Sequence, residues 1–213
     1  PMQSRQQGFT LVEVAVVLLI VGLLLGGVLK GQELIDSAKV KNLAQDFRTI
    51  PALVHAYQDR FRALPGDDAR ARLHLCPGGG ECTALGNGNG IIDGAWNDTA
   101  DSDAFRFWQH VRLANLASGS SDTGSAGYLP RNTLGGRLGV QRAGTLLGIG
   151  GGLLTCSASI PGKLVRQLDI ALDDGDPAAG SMRAGSDAGG TLTAVSADAP
   201  LDDAASYTVC ASL

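Results

Sequence analysis

The sequence predicts an α+β protein in which a long N-terminal helix packs on a small antiparallel β-sheet. Three observations predict this fold class: an apolar run over residues 9–29, an apolar stripe with helical spacing that continues to residue 61, and glycine-rich, strand-like segments after residue 63. The 213 residues, 44% of them apolar, suffice for one domain with a hydrophobic core, and they exclude a chain that is disordered throughout.

The first element is the apolar run from Phe9 to Leu29, in which Glu13 is the only ionisable residue. As an α-helix, this run would extend about 31 Å, which is the thickness of the hydrocarbon core of a bilayer. A cleaved secretory signal is the alternative, but such signals have shorter apolar regions, and no A-x-A cleavage site follows the run. The run therefore predicts a membrane-spanning helix.

The second element continues the same helix as an amphipathic stretch over residues 30–62. Pro51 lacks a backbone donor and predicts a kink or a local break near residues 48–50 rather than the end of the helix. Residues 9–62 are thus expected to form one helix of about 80 Å whose second half lies against a globular head. The apolar residues of its buried face recur at steps of three and four: Val40, Leu43, Phe47, Ile50, Val54, Tyr57 and Phe61.

The remaining residues, 63–213, form an acidic head with a different composition. They hold 25 of the 30 glycines and all four cysteines. Their net charge is −6, whereas residues 30–62 carry a net charge of +2. The acidic balance argues against a surface for specific nucleic-acid binding, because phosphate contacts need clustered Lys and Arg.

Within the head, the sequence predicts two helices, Asp103–Leu116 with an aspartate cap and Pro161–Leu172. Glycine, serine and aspartate predict loops at residues 118–127 and 173–190. The predicted strands are Arg137–Val140, Thr145–Ile149, Leu153–Ser157, Leu192–Val195 and Tyr207–Ala211.

The four cysteines bear on the cellular compartment. They allow three pairings, of which proximity and strand placement favour Cys76 with Cys82 and Cys156 with Cys210. Four buried thiols or a zinc site are the alternatives, and zinc is disfavoured because the chain has no C-x-x-C pair and its histidines lack ligand spacing. Paired disulfides indicate an oxidising compartment, so the head is expected outside the cytoplasm.

Residues 6–13 read QQGFTLVE, and this junction resembles the processing site of type IV prepilins and the related pseudopilins. The resemblance implies that prepilin peptidase, a membrane aspartyl peptidase, cuts after Gly8 and removes a leader of residues 1–8. It also implies N-methylation of the new amine on Phe9.

The resemblance extends along the spine helix and, more weakly, into the head. The head contains LDDGDPAAGSMRA and YTVCASL, both similar to segments of some prepilin-type proteins. A disulfide between Cys156 and Cys210 would match the one that closes the variable C-terminal region of many pilins. The expected organisation is a leader of residues 1–8, a transmembrane and assembly segment of residues 9–29, an amphipathic spine segment of residues 30–62, and a periplasmic or extracellular head of residues 63–213.

Glu13 is the residue on which the functional interpretation depends. A carboxylate inside an apolar helix costs about 2.5–3.5 kcal/mol on insertion scales, so a partner is expected. The resemblance implies that this partner is the positively charged amine of Phe9 in a neighbouring subunit, which makes Phe9 and Glu13 the predicted assembly residues. The alternative is an interfacial glutamate that reaches lipid headgroups.

These features predict a structural subunit of a type IV pilus or pilus-like filament, with other copies or other pilins and prepilin peptidase as its partners. The expected location is first the inner membrane, as a single-pass protein with its head in the periplasm, and then a filament at the cell surface. A type II secretion pseudopilin and a minor pilin are alternatives within the family. A membrane-anchored periplasmic binding protein that never polymerises is the alternative from another class.

Sequence motifs for catalysis are absent: there is no G-x-S-x-G, P-loop, G-x-G-x-x-G or H-E-x-x-H pattern. The sequence therefore predicts no enzymatic activity, cofactor or metal. One segment, Asn87–Asp93, resembles the middle of an EF-hand calcium loop, but Leu85 and Trp96 stand where acidic ligands are expected. A glycine–asparagine turn is the favoured interpretation of this segment.

Overall fold

The structure, a computed structural model, has an α+β, pilin-like architecture built on one long helix, α1 (Leu11–Phe61). This confirms the predicted fold class, and α1 continues through Pro51 as one element. The predicted helix start at Phe9 lies outside the described residues. The structure describes residues 10–76, 78, 82–144, 146–188, 191–199 and 201–212.

The chain divides into two compact units, residues 1–38 and residues 39–213. In the first unit, the described residues form only the N-terminal part of α1 and the residue before it, Thr10. The second unit contains the rest of α1 and every other helix and strand that the structure describes.

In the second unit, α1 buries the face that its apolar spacing predicts. Six of the seven predicted residues are buried, and Phe61 at the end of the helix is half-buried. Burying one large apolar side chain stabilises the fold by about 1.5–3 kcal/mol, so this face fixes the helix in the head. The buried residues of α1 are Val40, Leu43, Ala44, Phe47, Ile50, Leu53, Val54 and Tyr57.

The head adds further helices and a sheet to α1. The helices are α2 (Ala71–Leu75), α3 (Asp103–Leu113) and α4 (Gly162–Leu172). The strands are β1 (Leu138–Arg142), β2 (Leu153–Pro161), β3 (Met182–Ala188), β4 (Thr191–Ala194) and β5 (Ser206–Ser212). In the described part of the chain, they form one five-stranded sheet in the order β1-β2-β5-β3-β4, and all neighbours are antiparallel. The structure confirms the helix predicted at residues 161–172, which is α4. It also confirms four of the predicted strands, which correspond to β1, β2, β4 and β5 with boundaries shifted by a few residues.

Three apolar clusters hold the head on α1, and the smallest packs Tyr57 against α2. Residues 40–47 pack on α4 and the sheet, where Leu164, Leu168 and Val209 are among their neighbours. Residues 50–54 pack on α3 and β1, including the fully buried Phe107. The core therefore lies between the second half of α1, two helices of the head and the sheet.

Two secondary-structure predictions for the head are wrong. The predicted strand Thr145–Ile149 is a 3₁₀ turn at Leu146–Gly148, in which Leu147 and Gly148 adopt positive φ values that are incompatible with an extended strand. Thr145 itself lies outside the described residues. The predicted loop at residues 173–190 contains β3, which pairs with β5 on one side and β4 on the other.

Strand β3 reads MRAGSDA and has little intrinsic strand propensity, so tertiary contacts decide its conformation. Gly185, inside this strand, lies against the side chains of Leu147 and Leu192, and a Cβ at Gly185 would come within 2.6 Å of Leu147. Packing therefore requires glycine at position 185. Because glycine is rare in strands, the same residue makes the sequence look like a loop.

Helix α3 begins and ends differently from the prediction. Its N-cap is Ser102, whose hydroxyl accepts a hydrogen bond from the backbone N–H of Phe105 (3.2 Å), whereas Asp103, the predicted cap, is the first helical residue. The helix ends three residues before the predicted end, because Asn115 adopts a left-handed φ of +58°.

Candidate functional site

The candidate functional site is the N-terminal part of α1, which carries Glu13. Gly8 and Phe9, the predicted cleavage and methylation residues, lie outside the described residues. The carboxylate of Glu13 accepts hydrogen bonds from the backbone N–H (2.9 Å) and the hydroxyl (2.8 Å) of Thr10. The Thr10 hydroxyl in turn accepts a hydrogen bond from the backbone N–H of Glu13 (3.3 Å). This reciprocal arrangement is a capping box at the start of α1.

The sequence carries the signal for this capping box, because Thr10 and Glu13 stand in T-x-x-E spacing. The sequence interpretation gives Glu13 either a partner in another subunit or a position among lipid headgroups, and it misses this local role. The macrodipole of the helix also favours a carboxylate in the first turn. Glu13 therefore has polar partners within its own chain, and these offset part of the cost of its charge in apolar surroundings.

The apolar side chains around Glu13 are exposed. Every Leu, Ile and Val from Leu11 to Leu29 has an exposed fraction of 44–85%. Among the described residues, α1 is the one helix long and apolar enough to cross a membrane. Because exposed apolar surface of this extent is unfavourable in water, the segment requires lipid or other apolar helices around it.

In the head, the structure pairs Cys76 with Cys82 and Cys156 with Cys210, the two pairings that the sequence favours. Cys156 on β2 and Cys210 on β5 stand directly opposite each other in the strand register, so this disulfide joins the central strand to its neighbour. The other disulfide closes a short loop that follows α2. No free cysteine occurs in the part of the chain that the structure describes.

A buried polar cluster lies beside the C-terminal end of α1. Asp68, which is 1% exposed, accepts hydrogen bonds from the Tyr57 hydroxyl (2.8 Å) and the Arg70 backbone N–H (2.8 Å). Its Oδ2 also lies 2.6 Å from Nδ1 of His74 on α2. Burial alone would raise the pKa of Asp68, but the hydrogen bonds outweigh burial and lower this pKa. Because Tyr57 of α1 and His74 of α2 contact the same carboxylate, the cluster fixes α2 on α1. Sequence reasoning found no partner for His74 and missed this cluster.

His110 on α3 is fully buried, and its Nδ1 accepts a hydrogen bond from the backbone N–H of Gly66 (2.9 Å). This bond requires an unprotonated Nδ1 and leaves the proton on Nε2, 3.4 Å from the carbonyl oxygen of Ala84. Burial lowers the pKa of His110 to about 4, so the ring is neutral at physiological pH. His110 therefore acts as a packing residue that ties two loops to α3.

The Asn87–Asp93 segment forms a turn around the buried carboxylate of Asp67. This carboxylate accepts hydrogen bonds from the backbone N–H groups of Gly88 and Gly90, both at 2.7 Å. The backbone N–H groups of the turn therefore bind the side chain of Asp67 in the same chain. Among the described residues, no group of three or more His, Cys, Asp or Glu side chains is arranged to hold a metal ion.

Asp169 on α4 is another buried carboxylate, with an exposed fraction of 1%. Burial raises the pKa of Asp169 to about 6, and the negative charges of Asp173, Asp174 and Asp176 contribute to this rise. The backbone N–H of Gly175 opposes the rise, but it does not meet hydrogen-bond geometry with either carboxylate oxygen. Ionised Asp169 is therefore a source of instability in the folded head.

We expect Asp169→Asn to stabilise the head at neutral pH and to flatten its pH dependence. Because the folded-state pKa of about 6 exceeds the ordinary value of 3.8, the folded state holds a proton between these values that the unfolded state has lost. The free energy of unfolding therefore falls as pH rises from about 4 to about 6, by up to about 3 kcal/mol, and stays low at higher pH. Thermal unfolding of the purified protein at a series of pH values measures this slope.

The matched control for this experiment is Asp198→Asn, since Asp198 is exposed. The control should keep the wild-type slope of stability against pH. An Asp169→Asn protein with the same slope as the wild type would contradict the prediction.

Residues 3–29 match the model of a protein family described as the prokaryotic N-terminal methylation motif. No curated protein and no solved structure matches the chain significantly. The matched residues contain the predicted cleavage junction, Glu13 and the exposed apolar part of α1. The family that carries this motif is structural rather than enzymatic. In residues 3–29, the chain therefore carries the type IV prepilin-like signal segment that defines the prokaryotic N-terminal methylation motif.

Proposed function

We propose that this protein is the structural subunit of a type IV pilus or pilus-like filament, processed by prepilin peptidase and polymerised through the N-terminal part of α1. The observation that carries the proposal is the methylation motif at residues 3–29, in which the apolar helix is exposed along its length. Cleavage within such a motif creates a new charged amine. Glu13, the one carboxylate of the apolar run, stands four residues after that amine.

In the proposed mechanism, cleavage after Gly8 exposes the amine of Phe9, which is methylated and keeps its positive charge. Lipid covers the apolar helix while the subunit remains in the inner membrane. Extraction from lipid leaves the same surface in need of apolar neighbours, and the helices of other subunits provide them. The amine of Phe9 then pairs with Glu13 of a neighbouring subunit, and the pairing offsets the cost of both charges inside the helical bundle.

The head is proposed to lie in the periplasm before assembly and on the outside of the filament afterwards. Two disulfides in the head support an oxidising compartment. The net charge of −6 on residues 63–213 supports a solvated outer surface. The partners that follow are further copies of the chain or other pilins, and prepilin peptidase.

Protein isolated from its native host is expected to begin at Phe9 and to carry a methylated amine, which intact-mass and N-terminal peptide analysis would detect. Gly8→Val should block cleavage and leave the precursor in the membrane, because a bulky side chain hinders the approach of the peptidase to the backbone. Gly26→Val is the matched control and should be processed like the wild type, since beyond the two neighbouring residues and the local backbone of α1, no described atom lies within 4 Å of the position of a Cβ at Gly26.

The outcomes of this experiment separate the alternatives. An unprocessed chain, or an N-terminus after Leu29, would overturn the prepilin assignment. Processed protein that never enters filaments sheared from the cell surface would favour a membrane-anchored monomer. Processed protein found only in short filaments together with a secretion system would favour a pseudopilin.

A further inference from the structure

We propose that Asn87 and Asn89 are latent deamidation sites and that Asp67 suppresses their modification. This proposal concerns the head and does not depend on filament formation. The sequence contains two Asn–Gly pairs, Asn87 with Gly88 and Asn89 with Gly90, and both lie in the same exposed turn. Asparagine before glycine is especially prone to spontaneous deamidation, because glycine has no side chain to hinder its own backbone nitrogen.

Deamidation at these pairs requires only water. The glycine nitrogen loses its proton and attacks the side-chain Cγ of the preceding asparagine, so that a C–N bond forms and ammonia leaves. Water then opens the cyclic imide to aspartate or isoaspartate. The net reaction at each site consumes water and releases ammonia. Its rate therefore depends on how easily the glycine N–H gives up its proton.

One carboxylate holds both attacking nitrogens. The N–H of Gly88 donates to Oδ1 of Asp67 at 2.7 Å, and the N–H of Gly90 donates to Oδ2 at 2.7 Å. Asp67 is 2% exposed, so solvent weakens these bonds little. Loss of a glycine proton would place an amide anion against a buried carboxylate, and repulsion between like charges opposes this. Asp67 thus keeps both nitrogens protonated and unreactive.

The asparagine side chains are held as well. The Oδ1 of Asn87 accepts a hydrogen bond from the backbone N–H of Asn89 (2.9 Å), and the Oδ1 of Asn89 accepts one from Ile91 (2.8 Å). Both side-chain amides donate to one oxygen of Asp93, at 3.2 and 3.0 Å. Deamidation would replace these donors with carboxylates that face Asp93. Modification would therefore open the turn irreversibly.

The test incubates the full-length protein in mildly alkaline buffer and follows aspartate and isoaspartate at Asn87 and Asn89 by peptide mass mapping. Asp67→Ala is expected to raise the rate at both sites about tenfold or more, because both glycine N–H groups lose a charged acceptor. Asp122→Asn is the matched control, since Asp122 accepts a hydrogen bond from the N–H of Gly124 in another exposed turn. Its deamidation rate at Asn87 and Asn89 should equal that of the wild type.

Two further measurements separate the loss of Asp67 from general unfolding. Asp67→Asn keeps the shape of the side chain and one acceptor oxygen, so it should give an intermediate rate. Wild-type protein in concentrated urea gives the rate of the unfolded chain, and circular dichroism identifies the variants that remain folded. A folded Asp67 variant with the wild-type rate would overturn the proposal. So would folded wild type that deamidates as fast as the chain in urea.

Discussion

Replacing Glu13 with alanine is expected to abolish filaments while the amount of protein in the membrane stays the same or rises. Removing the carboxylate lowers the cost of inserting the helix, by at most about 2.5–3.5 kcal/mol because the hydrogen bonds from Thr10 already offset part of that cost. Assembly should fail because the amine of Phe9 then enters an apolar bundle without its partner, and breaking a buried ion pair costs about 3–5 kcal/mol. The measurement compares filaments sheared from the cell surface with the membrane pool in the native host.

The capping box at the start of α1 makes Glu13→Gln the sharper variant. Glutamine can replace glutamate in a capping box, so this variant can keep the hydrogen bond to Thr10 but loses the charge. If the charge pair drives assembly, Glu13→Gln should fail as completely as Glu13→Ala. Thr10→Ala is the matched control, because it removes the hydroxyl of the cap and keeps the charge, and it should assemble at close to the wild-type level.

A filament yield that depends on the capping hydrogen bonds and not on the charge of Glu13 would refute the pairing mechanism. Under that result, Glu13→Gln would assemble and Thr10→Ala would not. Wild-type protein that forms no filament in its native host would favour the monomeric anchor.

Loss of the disulfide between Cys156 and Cys210 is expected to destabilise the head about twice as much as loss of the one between Cys76 and Cys82. The first disulfide joins residues 54 apart and the second residues 6 apart, so chain entropy predicts stabilisations of about 4 and about 2 kcal/mol. For a domain of this size, these energies correspond to losses in melting temperature of about 10 °C and about 5 °C. Thermal unfolding of the two double-serine variants in detergent measures both.

Peptide mapping without reduction checks the pairing itself. A peptide that links Cys82 with Cys156 would show that the strands are placed wrongly. Equal losses in melting temperature for the two double-serine variants would contradict the argument from loop length.

The sequence predicts the spine helix well because a single periodic pattern encodes it. From Val40 to Tyr57, the residues at steps of three and four are the ones that the head buries. Strand β3 has no such pattern, because its conformation depends on pairing with β5 and β4 and on a glycine that neighbouring leucines require. Local composition favours a loop there, and tertiary packing overrides it.

The same difference explains which site residues the sequence reveals. Glu13 stands out because a carboxylate within an apolar run is costly wherever the chain folds. Asp68 and His74 give no comparable signal, since Asp68 meets Tyr57 and His74 only when the chain after α1 folds back on that helix. Asp67 is likewise separated by about 20 residues from the turn that it holds, as the hydrogen bond to Gly88 spans 21 positions.

The strand order has a consequence for the time at which the head can fold. Among the strands that the structure describes, β5 comes last in the sequence, yet it lies between β2 and β3. A chain synthesised from its N-terminus therefore releases β1 to β4 first, as two separate hairpins whose inner edges are unpaired. During that interval, Cys156 is a thiol without its partner, because Cys210 has not yet emerged. The complete sheet and its disulfide therefore require β5, and the burial of residues 40–47 of α1 is completed when Val209 of that strand joins their cluster.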